Sequence, residues 1–90
     1  MAIGPLLALA LPQDGGTTRV GLTVSSKVGG AVVRARIRRH LRELFRKRRG
    51  ELPPGIDLVL IARASAAESD YDALGRAFEG IARQLREMFP

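Results

Sequence analysis

The sequence predicts an α+β fold, a small two-layer α/β sandwich whose elements follow the order β-β-α-β-α. Two features of the apolar pattern lead to this prediction. The spacing of apolar residues changes from two to three or four after residue 30, and a second segment with helical spacing closes the chain. A chain of 90 residues is long enough for one domain, so residues 1–90 are expected to form a single domain.

Two strands are predicted in the first third of the chain. Residues 6–11, LLALAL, form the first, because the apolar start of the chain lacks the basic residues of a signal peptide and the length of a membrane span. Residues 18–25, TRVGLTVS, form the second, because apolar and polar side chains alternate along them. The connection contains the turn signal Asp14-Gly15-Gly16, which favours an antiparallel hairpin.

Residues 31–48 are predicted to form an amphipathic helix with a strongly basic outer surface. At 100° per residue, four apolar side chains lie within about 80° of one another and form a narrow stripe: Val33, Ile37, Leu41 and Leu44. Beside this stripe runs a row of arginines, which are Arg34, Arg38, Arg42, Arg46 and Arg49, with Arg39 just beyond them. Gly50 and the Pro-Pro-Gly sequence after it are expected to end the helix.

A third strand and a second helix are predicted in the rest of the chain. Residues 56–63, IDLVLIAR, are almost continuously apolar, which is typical of a strand covered on both faces. Because a helix connects this strand to residues 18–25, the two strands are expected to be parallel. A capping box of Ser69 and Asp72 is expected before the final helix, which is predicted from apolar residues at spacings of three and four: Tyr71, Leu74, Phe78, Ile81, Leu85 and Met88.

The net charge of +6 is concentrated in one part of the chain. The segment from Lys27 to Arg49 holds ten basic residues against one acid, Glu43, which gives it a charge of +9. The rest of the chain holds five basic residues against eight acidic ones, which gives it −3. Such polarity is expected of a fold that offers one surface to a polyanion and has an ordinary mixed surface elsewhere.

Three interpretations of the basic helix are open: a solvated face, a membrane-surface helix and a nucleic-acid-binding helix. Like charges four positions apart repel, and a merely soluble helix would alternate them with acids, so the pattern favours a polyanion partner. A membrane-surface helix needs large apolar residues facing lipid, whereas the narrow stripe here is needed for packing on the sheet. The preference for arginine favours a nucleic acid, because the guanidinium donates twice to a phosphate and stacks on bases.

No catalytic site is indicated by the available side chains. His40 is the only histidine and borders the apolar stripe, so it is expected to pack rather than to act as a base. The absence of cysteine excludes thiolate metal sites and agrees with a cytoplasmic location. Asp70 and Asp72 are better explained by helix capping than by catalysis. Gly29-Gly30 is not followed by the rest of a phosphate-loop motif.

Two segments resemble the protein subunit of bacterial ribonuclease P, and the resemblance as a whole covers roughly residues 6–86. The second, LPPGIDLVLIARASAAESDYDALGRAFEGIARQL, contains the family's Leu-Pro-Pro-Gly, Asp and Val-Leu-Ile-Ala-Arg signature. The first, RVGLTVSSKVGGAVVRARIRRHLRELFR, follows the family's arginine-rich motif on Lys27, Val28, Gly29, Ala31, Val32, Arg34, Arg36, Arg38, Arg39, Arg42 and Glu43.

The resemblance implies an RNA-binding subunit with no catalytic site and no cofactor of its own. In that family a large RNA, with magnesium, hydrolyses the phosphodiester bond that frees the 5′ end of precursor tRNA. The small protein contacts the tRNA leader through a cleft between sheet and helix, and its fold has a left-handed βαβ crossover. The implied partners here are ribonuclease P RNA and precursor tRNA, and the implied RNA contacts are Lys27, Arg34, Arg36, Arg38, Arg39 and Arg42, with Arg46 continuing the row.

Several positions depart from the family pattern. The family normally begins with a helix that bears aromatic residues for the leader cleft, whereas this chain is expected to start almost at its first strand. Leu22 replaces the usual aromatic of the strand, Ala35 replaces the middle Asn of the arginine motif, and Ser26 replaces its first Lys. A second hypothesis therefore stays open: a minimised or engineered scaffold of the same fold that binds nucleic acid weakly and non-specifically and self-associates.

Overall fold

The computed structural model describes all 90 residues and contains a four-stranded sheet with two long helices packed on one face. This arrangement is the predicted two-layer α+β sandwich. A two-residue strand, β1, precedes the elements that the apolar pattern predicts. The elements in chain order are β1 (Ala2–Ile3), β2 (Leu6–Pro12), β3 (Arg19–Thr23), α1 (Ala31–Arg48), β4 (Ile56–Ala62) and α2 (Tyr71–Met88).

The sheet has the strand order β1-β2-β4-β3, so the predicted hairpin between the first two long strands is wrong. β4 lies between them and pairs antiparallel with β2 and, as predicted, parallel with β3. The connection from β2 to β3 crosses the start of β4 instead of turning back. Two hydrogen bonds fix this path. The backbone N–H of Gln13 donates to the Gly55 carbonyl at 2.8 Å, and the Thr18 hydroxyl donates to the Pro53 carbonyl at 2.6 Å.

β4 is fully buried on one face only, so the prediction that both faces are covered is wrong. Val59 is exposed on the outer face and pairs with Leu9 of β2, which is also exposed. The residues that point toward the helices are all buried: Ile56, Leu58, Leu60 and Ala62. β4 has strand partners on both of its edges, which satisfy its backbone, but no second layer covers its outward-facing side chains Asp57, Val59 and Ile61.

α1 packs on the sheet through the predicted apolar stripe. Ile37, Leu41 and Leu44 are buried, and Val33 is half-buried near the start of the helix. The helix has the predicted bounds and is followed by a short 3₁₀ turn, Arg49–Glu51, before the two prolines. Its outer surface is thereby held in a fixed orientation relative to β3 on one side and to α2 on the other.

α2 begins with Asp70 as its N-cap, so the predicted capping box is wrong. The Asp70 carboxylate accepts a hydrogen bond from the Ala73 amide at 2.8 Å. The Ser69 hydroxyl instead donates to the Ser65 carbonyl at 3.0 Å, because Ser65 lies in a 3₁₀ turn that precedes the helix. The apolar face of α2 otherwise packs as predicted, except that Met88 near its end is exposed.

Candidate nucleic-acid interface

One side of α1 faces β3 and combines arginines with a cleft that apolar and arginine side chains line together. We call it the sheet flank and define it by Arg34, Arg38, Arg42 and Phe45, together with Arg49 at the start of the 3₁₀ turn that follows the helix. These residues follow one another at spacings of three and four. The cleft between this flank and β3 has a volume of about 210 Å³. Arg38, Arg42 and Phe45 line it together with Val20, Leu22 and Leu41.

None of the four arginines on the sheet flank forms an ion pair. Arg38 donates to the Val24 carbonyl at 3.3 Å, and the Arg49 guanidinium lies 5.6 Å from the centre of the Phe45 ring. Arg42 is exposed to solvent. Positive charges at this spacing repel one another, so the binding of an anion such as phosphate relieves the repulsion and is favourable.

The start of α1 adds further donors to the sheet flank. Arg34 is half-buried in the first turn, and its Nε atom is buried without a hydrogen-bond partner. Gly30 is the N-cap, and the first turn has neither a side-chain cap nor an acidic residue, so free backbone N–H groups remain there. Lys27 is exposed in the turn that leads into the helix. All these groups favour an anion.

The opposite side of α1 faces α2, and we call it the helix flank, defined by Arg36, His40, Glu43, Lys47 and Arg48. Most of its basic residues are engaged by other groups of the chain. Glu43 pairs with Lys47 at 3.3 Å and with Arg46, which reaches over from the outer edge of the helix, at 2.6 Å. The hydrogen bond from Arg46 lowers the pKa of the Glu43 carboxyl, so this group is ionised at neutral pH.

Arg48 holds the end of α1 against α2 and is half-buried. Its guanidinium pairs with Glu51 at 2.7 Å and with Glu79 of α2 at 3.5 Å. It also donates to the Gly75 carbonyl at 3.1 Å. This side chain therefore joins the two helices and is not free to bind a phosphate.

Arg36 and His40 connect the helix flank to the segment before α2. The half-buried Arg36 donates to the Ala67 carbonyl at 2.7 Å. His40 packs edge-to-face on Tyr71, with 5.4 Å between ring centres, which confirms that it is a packed residue. Burial and the positive charges of Arg39 and Arg36 lower the pKa of His40.

The structure divides the seven basic residues that were predicted to bind RNA into two groups. Arg36 and Arg46 are engaged by groups of the chain itself. The other five form no ion pair and lie on the sheet flank, at its start or at its outer border: Lys27, Arg34, Arg38, Arg39 and Arg42. Arg36 has no acidic partner either, but it lies on the helix flank and donates to the Ala67 carbonyl at 2.7 Å, whereas Arg38 makes a longer bond of 3.3 Å to the Val24 carbonyl. The prediction omitted Arg49, although its position four residues after Phe45 is a signal for the contact between them.

The chemistry available on this surface is that of anion binding. No group of three or more His, Cys, Asp or Glu side chains is arranged to hold a metal ion. Neither helix combines the length and the apolar composition needed to cross a membrane. What remains is a row of guanidinium groups next to an aromatic ring and an open cleft, which suits a chain of phosphates with unpaired bases.

Comparison with known proteins gives a consistent result. The family model described as Ribonuclease P matches residues 2–89. The ribonuclease P protein component of Thermobifida fusca is 45% identical over an alignment of 86 positions, which covers 88% of this chain and 58% of that protein. The corresponding protein of Shouchella clausii is 34% identical over an alignment of 91 positions, which covers 100% of this chain and 75% of that protein.

The fold has close counterparts among solved structures. The RNase P protein from Thermotoga maritima superimposes with a TM-score of 0.81 at 26% identity, over 88% of this chain and 76% of that one. The chain is nevertheless shorter than many curated relatives: it spans 58%, 54% and 61% of the proteins from Thermobifida fusca, Geobacillus kaustophilus and Alkaliphilus metalliredigens.

Proposed function

The chain belongs to the ribonuclease P protein family, and we propose that it is the RNA-binding protein subunit of ribonuclease P. In this proposal the catalytic step belongs to the partner RNA, which cleaves precursor tRNA to produce the mature 5′ end. The protein contributes by binding that RNA. Its positive charges lower the repulsion between phosphates that the folding of the RNA brings close together. The proposed location is the cytoplasm, where both RNA partners would be present.

The observation that supports this proposal most strongly is the absence of acidic partners on the sheet flank. Each of its four arginines carries a positive charge that no carboxylate in the chain offsets. Each arginine that neutralises a phosphate releases condensed counterions, which makes binding strong at low salt and weak at high salt. A helix whose charges served only solubility would have its acids distributed over both flanks.

We assign the contacts with ribonuclease P RNA to the basic residues on the sheet flank and at its borders, none of which has an acidic partner: Lys27, Arg34, Arg38, Arg39, Arg42 and Arg49. Arg34 lies beside the free N–H groups at the start of α1, and the two donor types together suit one phosphate. Arg36 contributes mainly by fixing α1 to the turn before α2. Arg46 reaches RNA only if it leaves Glu43.

The cleft beside the sheet flank is the proposed contact for the single-stranded leader of precursor tRNA. Leu22 occupies the strand position where the family usually has an aromatic residue, but Phe45 of α1 lines the same cleft. A base that enters the cleft meets Val20, Leu22 and Phe45, while Arg38 and Arg42 lie where its phosphates would pass. The aromatic contact is then supplied by the helix instead of the strand.

Magnesium enters the proposal only through the partner RNA. No group of three or more His, Cys, Asp or Glu side chains is arranged to hold a metal ion, so the proposal assigns the magnesium to the RNA. The ion would supply the metal-assisted chemistry of phosphodiester hydrolysis within the RNA. The guanidinium groups of the protein also offset phosphate charge, so they reduce the same repulsion between RNA phosphates at the RNA surface.

The test is cleavage of precursor tRNA by ribonuclease P RNA at low magnesium concentration, with and without the protein. We expect the protein to stimulate cleavage, because its positive charges replace part of the magnesium that the folded RNA needs. The variant Arg42→Ala should stimulate less. The matched control is Arg83→Ala, which removes one exposed positive charge from α2. Absence of stimulation by the unmodified protein would overturn the proposed function.

A further inference from the structure

A second cavity lies at the end of the sheet flank, beyond the cleft that we assign to the leader. We call it the distal cavity; it has a volume of about 250 Å³ and is lined by six residues: Gly16, Thr17, Thr18, Arg49, Leu52 and Pro54. The two cavities share no lining residue, but they meet at the end of α1. Phe45 lines the cleft, and the Arg49 guanidinium lies 5.6 Å from the centre of the Phe45 ring.

The cleft and the distal cavity belong to one groove, because they have the same two walls. Along β3 and the residue before it, Thr18, Val20 and Leu22 are two positions apart, so their side chains share one face of the sheet. Val20 and Leu22 line the cleft, whereas Thr18 lines the distal cavity. On the opposite wall, Phe45 and Arg49 are four positions apart. An RNA strand that follows the groove past Phe45 therefore enters the distal cavity.

The loop between β2 and β3, which forms part of the distal cavity, is fixed by its own side chains. The side-chain amide of Gln13 donates to the Thr17 carbonyl, and its oxygen accepts a hydrogen bond from the backbone N–H of Gly15 at 3.1 Å. The Thr18 side chain is buried, and its hydroxyl donates to the Pro53 carbonyl at 2.6 Å. The cavity is therefore formed before a ligand binds, which lowers the entropic cost of binding.

The groups available at the distal cavity are donors suited to a phosphate. The Arg49 guanidinium is exposed and has no acidic partner. The backbone N–H groups of Gly16 and Thr17 donate to no other group of the chain, and the exposed Thr17 hydroxyl adds a further donor. The one acid of this loop, Asp14, does not line the cavity. Guanidinium, hydroxyl and backbone N–H groups are the donors that most often contact phosphates in complexes with nucleic acids.

We propose that the distal cavity is a second subsite for the single-stranded leader of precursor tRNA and binds the phosphate of the nucleotide next to the one in the cleft. This inference rests on the proposed function and extends the leader contact beyond the cleft. A base in the cleft packs on Phe45, and Arg49 lies against the same ring, so the adjoining phosphate comes within reach of the guanidinium. We assign the subsite to the leader because its phosphate is joined to the base in the cleft, whereas ribonuclease P RNA would need to bring a second strand into the groove.

The experiment measures the binding of precursor tRNA to holoenzyme assembled from ribonuclease P RNA and saturating protein. Leader phosphates are made neutral one at a time by methylphosphonate substitution, and each RNA is titrated with the unmodified protein and with protein variants. At one leader linkage we expect the neutral group to weaken binding about fivefold with the unmodified protein and to have little further effect with Arg49→Gln. Arg42→Gln should lose its sensitivity at a different linkage. The control Arg83→Gln should keep the sensitivity of the unmodified protein at every linkage.

The possible failures separate this inference from the proposed function. If Arg42→Gln is coupled to a leader linkage and Arg49→Gln to none, the distal subsite is overturned and the proposed function stands. Coupling of both variants to the same linkage would also overturn it, because the groove would then hold one phosphate and not two. If Arg49→Gln weakens only the assembly of the protein with ribonuclease P RNA, the phosphate belongs to that RNA and the assignment to the leader is wrong. Unmodified protein that binds neither RNA would overturn both proposals.

Discussion

The two flanks of α1 have similar numbers of basic residues but very different surroundings. On the helix flank Glu43, Glu51 and Glu79 pair with Arg46, Lys47 and Arg48 at distances between 2.6 and 3.5 Å. On the sheet flank no arginine has an acidic partner, and the neighbouring cleft is lined by apolar and arginine side chains. The comparison shows that the number of arginines in a helix overstates the charge that is free to bind a phosphate. The placement of a few acids determines which side is the interface.

The apolar stripe between the flanks is where a substitution should have the strongest consequence. Leu41 is fully buried between the flanks and also lines the cleft. The variant Leu41→Ala should lower the free energy of unfolding by about 2–5 kcal/mol, because it removes buried apolar contacts and leaves a cavity. Chemical denaturation measures this loss. A loss well below 1 kcal/mol would mean that the stripe does not hold the two flanks in place.

The next largest effect is expected on RNA binding when single arginines of α1 are replaced. Arg42→Ala should weaken RNA binding by about 1 kcal/mol, roughly fivefold, because an uncompensated charge is lost. Arg46→Ala should weaken it less, because the charge it removes is already offset by Glu43. Titrations of labelled RNA with the two variants at one salt concentration provide the measurement. Equal losses would contradict the assignment of the interface to the sheet flank.

Arg48 should show the reverse balance between stability and binding. Arg48→Gln removes the half-buried pairs with Glu51 and Glu79 and the hydrogen bond to the Gly75 carbonyl, so stability should fall by about 1 kcal/mol. Thermal unfolding measures this change. The dependence of RNA affinity on salt should stay the same, since this guanidinium is occupied within the protein. A flatter salt dependence would show that Arg48 contacts phosphate.

The smallest expected effect comes from removing an acid of the helix flank, so that its basic residues lose their acidic partner as on the sheet flank. Glu43→Gln frees Arg46 and Lys47, so RNA affinity should rise about twofold and its salt dependence should become steeper. Acid should produce the same change in the unmodified protein only well below neutral pH. The hydrogen bond from Arg46 lowers the pKa of Glu43. The stability that the ionised Glu43 carboxylate gives the fold is therefore present above the pKa of the unfolded chain and is lost as the pH falls through the lower pKa of the folded protein. Unchanged salt dependence in Glu43→Gln would show that Arg46 and Lys47 face away from RNA.

Much of the fold and the general nature of the partner could be predicted from the sequence. Helix α1 has the predicted bounds because the period of its apolar residues and the following prolines are local signals. The family resemblance, carried by the arginine motif and the Leu-Pro-Pro-Gly signature, is confirmed by the match over residues 2–89. Both kinds of signal are contained in short stretches of sequence.

The remaining features depend on contacts between distant parts of the chain. The insertion of β4 between β2 and β3 depends on pairing across more than thirty residues, and the local turn signal gave no information about it. The same holds for Arg36, whose partner is the Ala67 carbonyl 31 residues away. The pairing of Arg46 with Glu43 could have been predicted from the sequence, because residues three positions apart in a helix are neighbours.

Salt dependence of RNA binding by two charge-matched triple variants tests the central claim most directly. One replaces Arg34, Arg38 and Arg42 with Gln, and the other replaces Arg46, Lys47 and Arg83 with Gln, so both lose three positive charges. The slope of log affinity against log salt should flatten by about two to three in the first variant and by less than about one in the second. Equal flattening in two folded variants would mean that RNA responds to net charge alone and would contradict the assignment to the sheet flank.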